Sequence, residues 1–206
     1  MNIYVYLFDD IDSLETRGFS AENMHRLPAF RRQQCEKYRR DADKNACILA
    51  YLLLVKGLRE QYSIPPPPAF VYNEHGKPYL ETTPHVFFNF SHCRQGVVCA
   101  LSEFEVGVDI QDIRPFTAKL ADRVCSDEEL SRLDKCDDPE REFCKFWAMK
   151  ESYAKAKGVS IADVLKRELP DFGFATWEFA DYYVSLFHHS QSAKVTVNLI
   201  KCELPI

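Results

Sequence analysis

The chain has 206 residues, 46% hydrophobic and 28% charged, with a formal net charge of −5. That length supports one large domain or two small ones in close contact. The acidic balance argues against a nucleic-acid binder, which presents a basic face, and no apolar run reaches membrane-spanning length, the richest (46–55) being followed by Lys56.

The opening, MNIYVYLFDD, lacks the basic, apolar and small-residue order of a secretory signal. Eight cysteines are present, with no CxxC pair and no Cys/His spacing suited to zinc. Together these features lead us to expect reduced thiols in a cytosolic protein.

In chain order, 3–8 reads as a strand. Residues 31–40 read as a very polar helix carrying Arg31, Arg32, Lys37, Arg39 and Arg40, either a solvated face or a phosphate site. Residues 46–62 form a strong helix with apolar positions at Leu49, Leu52, Leu53 and Leu58. The four prolines at 65–68 stop it. A short strand follows at 70–72, then a turn at 73–77 containing Gly76. Strands at 86–90 and 96–101 are split by a loop at 91–95. A second series opens with a strand at 104–110 and breaks at Arg114-Pro115. Ser126 with Glu129 forms a capping-box signature. Asp138-Pro139 offers an N-cap and first-turn proline for a helix running to about 157, with Gly158 as its stop. Residues 172–179, 182–187 and 193–200 finish as strands. Each half thus runs strand, helices, strands. The expected fold class is α+β, with similarly built subdomains at 1–102 and 103–206; element order alone carries the repeat.

Two segments carry chemistry. In VGVDIQDI (106–113), alternation puts Val106, Val108 and Ile110 on one side and Gly107, Asp109 and Gln111 on the other. In WAMKESYAKAKG (147–158), Trp147, Glu151 and Lys155 recur at steps of four and share a helix face. Asp109 and Glu151 supply hard oxygens suited to a divalent cation, which points to magnesium-dependent chemistry on a phosphate. The alternative for Asp109 is a turn cap, although an acid after apolar strand residues more often marks a site; read alone, Glu151 is the partner of Lys155 in a helical salt bridge worth only ~0.3–0.5 kcal/mol.

GKPYL (76–80), FNFSHC (88–93), VGVDIQDI and WAMKESYAKAKG, in this order and spacing, resemble the 4′-phosphopantetheinyl transferases, specifically the broad-specificity, two-subdomain, surfactin-synthetase-activating type. The likeness covers roughly 31–158. It implies two pseudo-twofold α+β subdomains, mainly antiparallel sheets packed on helices, and an active site in the cleft between them. It also implies transfer of 4′-phosphopantetheine from coenzyme A to a serine of an apo-carrier protein (acyl, peptidyl or aryl), leaving adenosine 3′,5′-bisphosphate. Magnesium, or manganese in its place, would be held by Asp109 and Glu151, with Glu151 also a base for the serine. Lys155 would stabilise the leaving bisphosphate, and Lys150 would touch the pyrophosphate. Ser91, His92, Lys77 and Arg31 would bind the 3′-phosphate, and Pro78 would lie near the adenine. Trp147 would pack the helix.

The chain departs from the family pattern at Gln111, where a second acid is usual. Its carbonyl can still ligate, but it brings no charge. Asp112 is an alternative acid that alternation turns toward the apolar side. A second basic position falls on Gln34, leaving Lys44 or Arg40 to supply that contact. Arg114, Lys119 and Arg123 offer positive charge to an acidic carrier, while Phe116 and Leu120 are either contacts or core. A monomer is expected, without nucleic-acid or membrane partners. Two rival readings remain: a degenerate coenzyme A-binding protein, and an unrelated magnesium-dependent phosphohydrolase.

Overall fold

The structure is a computed structural model and describes residues 2–11, 14, 18–74, 76–81, 85–190 and 196–201. The first part comprises β1 (Asn2–Phe8), α1 (Phe19–Asn23), α2 (Ala29–Glu36), α3 (Asp41–Tyr62), β2 (Phe70–Tyr72), β3 (Pro78–Leu80), β4 (Phe87–His92) and β5 (Val97–Ser102). The second comprises β6 (Val106–Asp112), α4 (Ala118–Val124), α5 (Asp127–Leu133), α6 (Pro139–Lys157), β7 (Phe174–Glu178), β8 (Tyr182–His188) and β9 (Thr196–Lys201). It is an α+β protein. One sheet runs β4-β5-β1-β9, another β6-β8-β7, and β2 pairs with β3. All pairings are antiparallel except β1 with β9. The boundary at 102/103 falls between β5 and β6, but β9 crosses back to the first sheet.

Strand alternation builds the layers. On β1 and β5, Tyr6, Phe8, Val97, Cys99 and Leu101 face α3. The intervening Ile3, Val5, Leu7, Val98 and Ala100 face Val106, Val108, Ile110, Val184 and Leu186 of the second sheet. β1 and β5 are therefore buried on both sides, and α6 covers the far side of the second sheet. Burial of this apolar area at roughly 25 cal/mol per Å² is the main force joining the two sheets. Twelve of the 22 residues of α3 are buried, so it is a core helix rather than an amphipathic surface one. It begins at Asp41, earlier than its apolar pattern predicts, because Asp41 and Asp43 in the first turn suit the positive end of the helix dipole.

Three expected signals are present as read. Ser126 and Glu129 form a complete capping box, and the Asp138 side chain accepts from the Arg141 backbone N–H to open α6. Gly158 closes α6 at φ 66°, a conformation costly for residues with a Cβ. A different outcome holds at 91–92. Ser91 and His92 are the last residues of β4, not loop residues, since they pair with Val98 and Val97 across a turn closed by Cys93 N–H to Gly96 O at 2.9 Å. The short helices α1 and α4 carry too little apolar periodicity to be read from sequence. Among the described residues no helix is long and apolar enough to cross a membrane. Seven cysteines are free thiols, and Cys202 lies outside the described residues.

Candidate active site

The pleat of β6 buries Val108 and Ile110 between the sheets and turns Gly107 and Asp109 toward α6. Gly107 is where the helix comes closest. A Cβ there would stand 2.0 Å from Ser152 O and 2.4 Å from Ala156 N. That close seating carries Glu151 and Lys155 down onto the strand.

Asp109 is 1% exposed. Its Oδ1 accepts from Lys155 Nζ at 2.5 Å and from Ser91 Oγ at 2.7 Å. Its Oδ2 accepts from Gln111 Nε2 at 2.7 Å. Lys155 also donates to Ser91 Oγ at 3.0 Å and to Val108 O at 3.4 Å. These charge-assisted bonds offset the cost of burying the carboxylate. Glu151 is half-buried beside them. Burial raises its pKa; Lys155 opposes that, and the negative charge of Asp109 adds to it. The two acids therefore share one electrostatic neighbourhood, although they come from a strand and a helix some forty residues apart.

That donor set suits a hard divalent cation: two carboxylates from Asp109 and Glu151, and the amide oxygen of Gln111. Among the described residues no group of three or more His, Cys, Asp or Glu side chains could hold a metal, as expected where an amide stands in for the third acid. The like-charge load that Asp109 places on Glu151 is the kind a bound cation relieves.

His92 ends β4 one residue beyond Ser91, exposed at the strand end and within electrostatic reach of Lys155 and Asp109. Lost hydration, then the charge of Lys155, lowers its pKa, with Arg31 acting the same way and Asp43 and Asp109 opposing. The shift favours the neutral imidazole, which offers one N–H. Arg31 is 5% exposed, so it does not sit on a solvated face. It donates to Cys47 O at 3.1 Å and to Gln34 Oε1 at 2.6 Å, and lies 5.3 Å above the Phe90 ring. Among the described residues its buried Nε has no hydrogen-bond partner. Arg40 and Lys44 are engaged by Asp43 and Asp41.

Two expected ligands go elsewhere. Lys150 is fully buried, pairs with Glu129 at 3.0 Å and donates to Arg167 O at 2.6 Å. A single helical step turns it about 100° from Glu151, so the structure does not bring it into the cluster. The signal was available: Phe146, Lys150 and Ala154 recur at steps of four along the buried face. Lys77 is also buried. It pairs with Glu105, donates to Ala156 O at 3.2 Å and lies 5.3 Å from the Tyr79 ring centroid. Burial lowers its pKa while Glu105 raises it. The turn bearing Lys77 and Pro78 is thereby anchored to the C-terminal end of α6.

Asp112 does not enter an apolar layer. Its carboxylate accepts from the backbone N–H of Gln95 at 3.3 Å and of Arg94 at 3.4 Å, holding the turn after His92. Asn89, which sequence reasoning missed, accepts from Val108 N–H at 2.9 Å and fastens β4 to β6. Only its place on the same side of β4 as Ser91 hinted at this. Beside Gln111 opens a cavity of about 190 Å³, lined by Arg114, Phe116, Leu120, Phe143 and Trp147. Phe116 stacks on Phe143 at 4.4 Å, and Leu120 is 38% exposed. Trp147 thus borders open space rather than solely packing the helix.

Comparison with known proteins agrees with this geometry. The family model described as the 4′-phosphopantetheinyl transferase superfamily matches residues 105–201, which include Asp109, Gln111, Glu151 and Lys155. A 4′-phosphopantetheinyl transferase of Bacillus subtilis is 30% identical over 98% of this chain and 92% of its own length. The 4′-phosphopantetheinyl transferase Sfp of Bacillus subtilis strain 168 is 29% identical over 71% of this chain and 68% of its own. The enzyme gsp of Aneurinibacillus migulanus, of the same designation, is 34% identical over 62% and 54%. With the acidic strand, the lysine-bearing helix and a full-length relative all in agreement, the chain belongs to the 4′-phosphopantetheinyl transferase superfamily.

Proposed function

We propose that this enzyme transfers 4′-phosphopantetheine from coenzyme A to a serine of an apo-carrier protein, with magnesium or manganese bound by Asp109, Glu151 and the Gln111 amide oxygen. The observation that carries this reading is the convergence of Asp109, Glu151, Lys155, Ser91 and His92. When bound, the cation neutralises the diphosphate. Burial makes Glu151 a better base than a solvated carboxylate, so it suits removal of the serine proton. The serine oxygen then bonds to the phosphorus on the pantetheine side, and the bridging P–O bond breaks. Lys155 places positive charge where the adenosine 3′,5′-bisphosphate leaves. Ser91, His92 and Arg31 address the 3′-phosphate, with Lys77 and Pro78 flanking the adenosine. Arg114, Lys119 and Arg123 face an acidic carrier. Two similarly built halves, 1–102 and 103–206, with the site in the cleft between them and a monomeric cytosolic protein, complete the reading.

The test is to incubate the protein with coenzyme A, magnesium and a panel of apo-carriers, then weigh the carriers. A mass gain of one phosphopantetheine supports transfer. Unchanged carriers with coenzyme A retained would make it a binding protein. Nucleotide release without any acceptor would make it a phosphohydrolase.

A further inference from the structure

We infer that Lys155 holds the oxygen of Asp109 that a divalent cation needs, and gives it up only to the diphosphate of the substrate, so that metal and coenzyme A are taken up together. The inference rests on the functional reading above and deepens it.

The geometry is specific. Asp109 has two carboxylate oxygens and is 1% exposed. Gln111 Nε2 donates to one at 2.7 Å. Lys155 Nζ donates to the other at 2.5 Å, with Ser91 Oγ on the same atom at 2.7 Å. Lys155 is fixed in place by two further acceptors, Ser91 Oγ at 3.0 Å and Val108 O at 3.4 Å. A buried carboxylate so completely engaged by donors offers a cation little until one donor leaves. An amide is poorly placed to leave, since Gln111 is on the same strand two residues away. An ammonium on a flexible four-carbon stem can swing. A diphosphate presents more negative charge than a single carboxylate, so it is the natural acceptor for that ammonium. The cation then replaces the charge that Lys155 withdrew. Thermodynamic linkage requires the coupling to be mutual: each ligand tightens the other by the same factor.

The probe is Mn²⁺, titrated against the full chain and followed by electron paramagnetic resonance, with and without coenzyme A. In the absence of coenzyme A, Lys155→Gln should bind Mn²⁺ about tenfold more tightly than wild type, the scale of one charge-assisted hydrogen bond. Coenzyme A should then tighten Mn²⁺ less in the variant than in wild type. Lys155→Arg, which keeps a charged donor, should stay weak. Ser91→Ala, which loosens the lysine, should give a smaller gain of the same sign and provides a second route if Lys155→Gln fails to fold. The inference is overturned if Lys155→Gln binds no tighter than wild type. It is equally overturned if Lys157→Gln, an exposed charge two residues along the same helix, gains as much. If wild type takes up no Mn²⁺ even with coenzyme A, or Glu151→Gln holds it equally well, the metal assignment itself falls, and this inference with it.

Discussion

Replacing Gly107 by alanine should separate the two halves of the site without touching a single charged residue. The new methyl would stand 2.0 Å from Ser152 O, 2.4 Å from Ala156 N and 3.0 Å from Ala156 Cα. All three are backbone atoms of α6, so no side chain can rotate away. Ordinary contact begins near 3.4 Å, so the helix must lift by about 1.4 Å or the strand must buckle. Overpacking of this kind costs about 1–3 kcal/mol. The upper end applies here, and for a chain of this size about 3 kcal/mol lowers the melting temperature by about 6–12 °C. The same displacement draws Glu151 and Lys155 off Asp109, and a misplacement near 1 Å costs about 10²-fold in rate. Thermal melts and carrier mass shift per unit time measure both effects. A variant with wild-type melting temperature and wild-type turnover would show that α6 is not seated on Gly107 as described. A large loss of stability with unchanged turnover would show that the spacing of β6 and α6 does not set the chemistry.

Glu151→Gln should abolish transfer yet fold normally, and its stability should depend on pH in a defined direction. Because burial raises the pKa of Glu151 above its usual 4.5, the unfolded chain ionises first, and the fold loses stability as pH rises through that window. In chelator, urea melts should therefore show the variant gaining on wild type from about pH 4.5 upward; no gain by pH 8 would contradict the burial. Gln111→Glu replaces a donor to Asp109 with an acceptor. It should lose about 1–3 kcal/mol in chelator, recover on adding magnesium, and need less magnesium for half-maximal transfer. Unchanged metal dependence would place Gln111 outside the site. Lys150→Met removes the ion-pair partner of Glu129, which keeps only its hydrogen bond from the Ser126 N–H, and should cost about 3–5 kcal/mol in melts. Calorimetry should find coenzyme A affinity preserved in the folded fraction, and a lost affinity would return Lys150 to the pyrophosphate.

Much of the candidate site's placement was legible in the chain because its residues lie on regular elements. Period two put Asp109 and Gln111 on one side of β6, and steps of four put Trp147, Glu151 and Lys155 on one face of α6. The caps of α5 and α6 are local hydrogen bonds between residues three apart, so Ser126, Glu129 and Asp138 announced them. Where the outcome depended on which neighbour a long side chain reaches, sequence was silent. Lys150 and Lys77 were expected from the resemblance to meet phosphate, yet they pair with Glu129 and Glu105. Arg31 sits in a polar run, yet it is buried over Phe90.

Sequence alone determined which residues carry oxygen and charge, and at what spacing along each element, because backbone periodicity is a local property. Tertiary structure decided which of those groups meet. Asp109 and Lys155 are 46 residues apart, and their contact follows from how closely a glycine lets a helix lie on a strand. No window of neighbouring residues encodes that distance.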